Sequence, residues 1–206
     1  MYRLRYIGAI KPIAFLGDSL DRLRDFTENA RSQAGHQLKE VQNGTDPDEG
    51  KPMKTVGPGV REIRTREDSG ASRVICGATL PDAVLVLHAS QTKTQATPRR
   101  DIDLAASIER MTRVDVQMFD SVFDALADTP AEAANMKARS ELLSVLKARI
   151  RSREMSQEAA AGRLGITRPR LNDLLQGKIA KFSLDALVNL ATASGLTVHV
   201  HVAEAA

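Results

Sequence analysis

Three hydroxyl side chains, each followed a helix length later by a glycine, partition the C-terminal third of the chain: Ser156 with Gly165, Thr167 with Gly177, and Ser183 with Gly195. A serine or threonine satisfies first-turn amides that a helix leaves open, and glycine accepts the left-handed conformation at the other end. The spacing therefore predicts three short helices. A preceding one carries Leu142, Leu146 and Ile150 on one face. Between the first two caps, Ala160 is small where helices must cross closely and Gly165 permits a tight turn. Ile166, Leu171 and Leu174 can plug the second helix onto the first. Beyond Gly195, Leu196, Val198, Val200 and Val202 alternate with Thr197, His199 and His201, predicting a C-terminal strand. Such a strand would pair within the chain or with its copy in a second molecule, building a homodimer.

The first half reads differently. Tyr2, Leu4 and Tyr6 alternate with Arg3 and Arg5 as a first strand. Ser19 is a candidate helix cap before Leu20, Leu23 and Phe26, and after a break at Thr27 the apolar face continues through Ala30, Ala34, Leu38 and Val41. Residues 60–65, 73–78 and 83–89 are strand-rich and separated by Asp68-Ser69-Gly70 and Pro81-Asp82, the punctuation of an antiparallel meander. Thr97-Pro98 opens a further helix through Ile102, Ala105 and Ile108. The expected class is α+β: a small antiparallel sheet with helices, then an all-α bundle ending in a strand. The 206 residues suit two small domains, 1–110 and 136–206, joined by 111–135.

Charge follows the same division. Residues 136–182 carry 11 Lys/Arg against 4 Asp/Glu, whereas residues 112–135 carry Arg113 against five acids. The acidic stretch, Asp115, Asp120, Asp124, Asp128 and Glu132 among Val116, Phe119, Val122, Phe123 and Leu126, is suited either to lie across a basic face or to serve as a tether. No apolar run reaches membrane-spanning length and no secretory leader follows Met1, which places the chain in the cytoplasm. Cys76 stands alone and the four histidines lack ligand spacing, so neither a metal site nor a cofactor is expected.

The second capped helix presents polar residues at its start, where a recognition helix meets base edges. Thr167, Arg168, Arg170 and Asn172 are candidate readers, and Gln157, Lys178 and Lys181 candidate phosphate contacts. This stretch, with Phe182-Ser183-Leu184-Asp185-Ala186-Leu187-Val188 after it, resembles the Cro-type (Xre) antitoxins of the HigA kind over about residues 112–206. The resemblance implies a dimer that binds palindromic operator DNA and represses its own promoter. The plain alternative is a bundle whose arginines face solvent.

The first half contains no nucleophile elbow, phosphate loop or metal cluster. It does bring cations to neighbouring segments: Lys51, Lys54, Arg61, Arg64 and Arg73, with His88 and Lys93 beyond. Attack of an RNA 2′-hydroxyl on its adjacent phosphate needs positive charge around the transition state, a proton acceptor and a donor. Gly17-Asp18-Ser19-Leu20-Asp21-Arg22-Leu23, Lys51-Pro52-Met53-Lys54, Gly59-Val60-Arg61-Glu62-Ile63-Arg64, Arg73-Val74-Ile75 and Asp82 to Ala89 resemble the phage-derived HigB toxins of the RelE/ParE superfamily, continuing through Gln91 to Ala105. That resemblance implies a metal-independent endoribonuclease acting on mRNA at the ribosome, with Lys54, Arg64, Arg73, His88 and Lys93 as transition-state and RNA contacts. The family usually has an aromatic residue where Ser90 stands and a lysine near Thr92. Two other readings stay open: a transcriptional regulator with an attenuated toxin fold, and a ParE-like gyrase inhibitor. A fused antitoxin would neutralise its toxin within the chain or by swapping between chains.

Overall fold

Ile13-Ala14-Phe15-Leu16 is apolar without alternation, a pattern that suits a strand covered on both faces. It forms strand β1 (Ile13–Leu16), buried throughout. Around it, in a computed structural model that describes residues 10–48, 50–67, 70–77, 83–92, 99–110, 115–153 and 155–200, the first of two compact units is assembled. The units are Met1–Ala134 and Asn135–Ala206. The strand expected at Tyr2–Tyr6, the Thr97-Pro98 cap, Lys93, the junction at Met111 and the last residues of the C-terminal alternation lie outside the described residues.

The first unit's sheet adds β2 (Gly50–Pro52), β3 (Val60–Glu67), β4 (Gly70–Gly77), β5 (Val84–Thr92) and β6 (Val116–Phe119) in the order β2-β3-β4-β5-β1-β6. β2 to β5 form the anticipated meander. The sheet is not wholly antiparallel as expected, because β1 runs parallel to β5, pairing Ile13 with Val84 and Phe15 with Val86. A parallel pair needs a long crossover, here everything between Leu16 and Val84.

Two helices open that crossover, α1 (Ser19–Arg24) and α2 (Glu28–Gln42), broken at Thr27, whose hydroxyl accepts from the Ala30 amide at 3.2 Å. Ser19 does not cap. It is fully buried, and its Oγ donates to the Val86 carbonyl at 3.1 Å, fastening α1 to β5. Helix α3 (Arg99–Arg110) lays Ile102, Ala105 and Ala106 on Leu16, Val60, Ile75 and Leu87.

The acidic segment becomes part of this unit. β6 pairs antiparallel with β1 from Ile13–Phe119 to Leu16–Val116, and helix α4 (Val122–Leu126) follows. Val122 and Phe123 are 0% exposed and Leu126 2%. The Gln42 side chain secures the turn: its amide donates to the carbonyls of Lys11 (2.7 Å) and Asp120 (3.0 Å), and its Oε1 accepts from the Val122 amide (3.0 Å). Asp115, Asp120, Asp124 and Asp128 are exposed. The apolar residues and the backbone of the segment thus join it to this unit.

In the second unit, the part of α5 (Pro130–Arg151) from Asn135 onward precedes α6 (Gln157–Leu164), α7 (Arg168–Leu175), a single 3₁₀ turn (Ile179–Lys181) and α8 (Leu184–Ala193). Each expected cap is in place: Ser156, Thr167 and Ser183 accept from Ala159, Arg170 and Ala186. Gly165, at φ 66°, makes the tight turn. Leu143, Leu146, Leu171, Leu174, Phe182 and Leu187 form the core. The expected C-terminal strand is not formed by residues 196–200. Alternation alone cannot make a strand without a ladder partner, and Leu196 and Val198 pack on the helical core instead.

Candidate functional site

The β4–β5 ladder slips beside the first unit's cleft. Ile75 faces His88 while Cys76 faces Val86, leaving Leu87 as an extra residue. Such a bulge re-aims side chains. Leu87 joins the cluster under α3, and the next residue, His88, stands beside Asp101 of the same helix, its Nε2 3.7 Å from Asp101 Oδ1. The two side chains are 2% and 10% exposed, yet neither imidazole nitrogen nor Asp101 Oδ2 has a hydrogen-bond partner. Burial pushes the His88 pKa down, opposed by the Asp101 charge; Arg22 pushes it further down and Asp18 up. The ring is therefore neutral near pH 7, with one donor and one acceptor nitrogen. A cleft of about 560 Å³ opens here, lined by Arg22, His88, Ser90, Gln91, Thr92, Arg100, Asp101 and Leu104.

One register step away lies a buried ion cluster. Arg73 sits opposite Arg64 on β3 and opposite Ser90 on β5. Glu62 Oε2 accepts from Arg64 Nε at 2.7 Å and lies 2.6 Å from its Nη2, while Glu62 Oε1 is 3.3 Å from Arg73 Nε. Arg73 also donates to Thr92 Oγ1. Arg73 and Glu62 are each 1% exposed. Burial lowers the Arg73 pKa, partly offset by Glu62, but a guanidinium stays charged in proteins. Two cations thus share one buried carboxylate.

The predicted catalytic set is therefore divided. His88 lines the cleft, and Arg73 and Arg64 are held together beside it. Lys54 is exposed on the turn before Val60, ten residues before Arg64 in the chain, and is not among the cleft-lining residues. Arg61 is paired with Asp46 at 2.7 Å. Lys93 lies outside the described residues. Sequence reasoning missed Arg22, Arg100 and Asp101, which reach the cleft from α1 and α3; the only local signal was a charged Arg99-Arg100-Asp101 run opening a helix. Cys76 is buried and its thiol is pushed up to about 12 by desolvation, so it takes no part.

In the second unit the start of α7 exposes Arg168, Arg170 and Asn172, with Gln157 exposed at the start of α6. Thr167 is exposed too, but its hydroxyl caps the helix. The Arg170 guanidinium lies 4.9 Å over the Phe182 ring, which sets its direction. Lys178 and Lys181, expected on phosphates, both reach Asp173, at 2.7 and 2.6 Å. Partial burial pushes the Asp173 pKa up, but hydrogen bonds and charge from the two lysines outweigh it, leaving the pKa below the ordinary aspartate value.

The first unit is thus a mixed sheet with a polar cleft, and the second a capped helix-turn-helix. Residues 21–110 match the family model described as phage derived protein Gp49-like (DUF891), and residues 125–203 match a helix-turn-helix domain model. The chain thus carries an N-terminal Gp49-like, toxin-like domain and a C-terminal Xre-like helix-turn-helix domain, the composition of a toxin fused to its antitoxin. No curated protein matches the chain. No helix among the described residues is long and apolar enough to cross a membrane.

Proposed function

We propose that this chain is a fused type II toxin–antitoxin of the HigB–HigA kind. Its N-terminal part is a metal-independent endoribonuclease directed at mRNA on the ribosome. Its C-terminal part binds operator DNA as a cytoplasmic homodimer and represses its own promoter. The observation that carries this reading is the pairing, in one chain, of a Gp49-like unit whose cleft holds a buried, unpartnered His88 with a helix-turn-helix that exposes Arg168, Arg170 and Asn172. Functionally, 1–110 is the toxin, 136–206 the DNA-binding antitoxin, and 111–135 the arm that engages the toxin through β6 and α4.

A second reading has a specific observation in its favour. Arg64 and Arg73 spend charge on Glu62, and Ser90 and Thr92 stand where the family usually has an aromatic residue and a lysine. Both weaken RNA binding, as in a DNA-binding regulator with an attenuated toxin fold. Expressing residues 1–134 beside the full chain, with mRNA ends mapped, separates the two. Growth arrest and new ends with the fragment alone support a silenced ribonuclease; normal growth and unchanged ends in both support the regulator.

A further inference from the structure

We propose that the cleft between β5 and α3 is a phosphodiester pocket of single-stranded RNA, in which Arg22 and Arg100 hold the phosphate, His88 moves the proton and Asp101 positions His88. The inference takes its reaction from the ribonuclease reading, but the pocket itself stands on geometry. Arg22 and Arg100 project into one cleft of about 560 Å³ from two helices, α1 and α3. Arg22 is paired with Asp18 at 2.6 Å and Arg100 lies 3.6 Å from Asp101 Oδ1, but at 47% and 87% exposure both pairs are solvent-screened and weak, so an entering anion can compete for either guanidinium. At the wall His88 is almost wholly buried and both its nitrogens lack partners. An unsatisfied buried polar group is costly unless a ligand completes it. Ser90, Gln91 and Thr92 supply further polar groups along β5.

The bulge at Leu87 builds this arrangement, because without the extra residue the alternation of β5 would turn His88 away from α3. Nε2 is the nitrogen nearer the Asp101 carboxylate, at 3.7 Å, so we assign it the ring proton and give Nδ1 the acceptor role. The RNA 2′-oxygen forms a bond to phosphorus as the phosphorus–5′-oxygen bond breaks. His88 takes the 2′ proton, water protonates the departing 5′-oxygen, and His88 afterwards returns its proton to solvent. The products are a 2′,3′-cyclic phosphate and a 5′-hydroxyl.

Burial lowers the His88 pKa, Asp101 from α3 and Asp18 from α1 raise it and Arg22 from α1 lowers it; Arg100 of α3 stands beside Asp101, and Arg73 of β4 lies opposite Ser90, two residues along β5. Asp101 raises its pKa. Asp101→Asn should therefore keep the ring neutral to lower pH and move the acidic limb of RNA cleavage downward, while Asp101→Glu should restore it. A purely structural role for Asp101 would lower the rate without moving the limb.

The test uses the full chain titrated with inorganic phosphate while the His88 imidazole resonances are followed. Phosphate should shift them, and R22A combined with R100A should weaken that binding about ten- to a hundredfold, the range for losing charge-assisted hydrogen bonds. Resonances that phosphate leaves unmoved, or equal binding by the double variant, would overturn the pocket. RNA cleavage is read with residues 1–134, the unit freed of the helix-turn-helix: if phosphate binds in an Arg22-dependent way but this fragment leaves RNA intact, the pocket stands and the ribonuclease reading falls. If RNA is cut equally well by the double variant, the pocket falls and that reading stands.

Discussion

Removing the Phe123 side chain should unfold the toxin-like unit while leaving the helix-turn-helix intact. Phe123 is 0% exposed, between Val122 at 0% and Leu126 at 2%, on a helix of one and a half turns that has no stability of its own. It packs beside Gly35 of α2, where an added Cβ would meet Phe123 Cε1 and Leu126 Cδ1, each at 3.1 Å. Phenylalanine-to-alanine at such a site costs about 3–5 kcal/mol. With a urea dependence of about 1–3 kcal/mol per molar, the midpoint should fall by about 1–5 M. Met118→Ser, on the same segment but with Met118 62% exposed, should change stability by no more than about 0.5 kcal/mol. The Gly35 contact supplies an internal check. Gly35→Ala should cost about 1–3 kcal/mol by overpacking in the wild type, but less with F123A, since the Phe123 ring is gone, only Leu126 Cδ1 still stands in the way, and alanine is the better helix former. Urea unfolding followed separately by resonances of each unit is the assay. Equal midpoints for F123A and wild type, or a folded sheet in a fragment that stops at residue 110, would refute the claim that β6 and α4 complete this unit.

Other expectations concern the second unit and the core. Arg168→Ala with Asn172→Ala should reduce operator binding at least tenfold, with a discrimination of about 1–3 kcal/mol per base contact. Lys178→Ala and Lys181→Ala should matter less than either, because Asp173 already holds both lysines; fluorescence anisotropy over a range of salt concentrations measures each. Asp173 has a depressed folded pKa, so its contribution is present above the unfolded aspartate value and is lost as pH falls through the folded one. The stability gap between wild type and Asp173→Asn should accordingly be flat near neutrality and close in acid, as read by thermal unfolding at successive pH values. Ser183→Ala should cost about 1 kcal/mol through loss of the Ala186 cap, measured by urea unfolding. Cys76 should resist thiol reagents at pH 8 until the unit unfolds, since its thiol is buried and pushed up to about 12.

The helix-turn-helix was legible because its determinants are local: Ser156, Thr167, Ser183 and Gly165 act on amides and dihedrals within a turn of themselves. The meander was legible from alternation and turn residues. β1 escaped because Ile13 to Leu16 has no alternation, being covered on both faces. β6 escaped because its side chains are mostly exposed and its pairing with β1 spans a hundred residues of chain. For the cleft, His88 was visible as a residue but not as a direction, since a bulge leaves no mark in composition. Arg22 and Asp101 meet it only through packing of α1 and α3 on one sheet. Sequence assigns Lys178 and Lys181 to phosphates because their tie to Asp173 depends on where the chain after α7 brings them back.

The place of β6 also orders events in time. The sheet places β1 between β5 and a strand that the ribosome makes only after residue 115, and the turn that Gln42 secures is finished only when Val122 has emerged. At about 5–20 residues per second of synthesis, every nascent chain therefore already carries part of its acidic arm when the toxin-like sheet first closes. A chain truncated before that point inherits an open edge along Ile13 to Leu16, a row of unpaired backbone groups ready to pair with another chain.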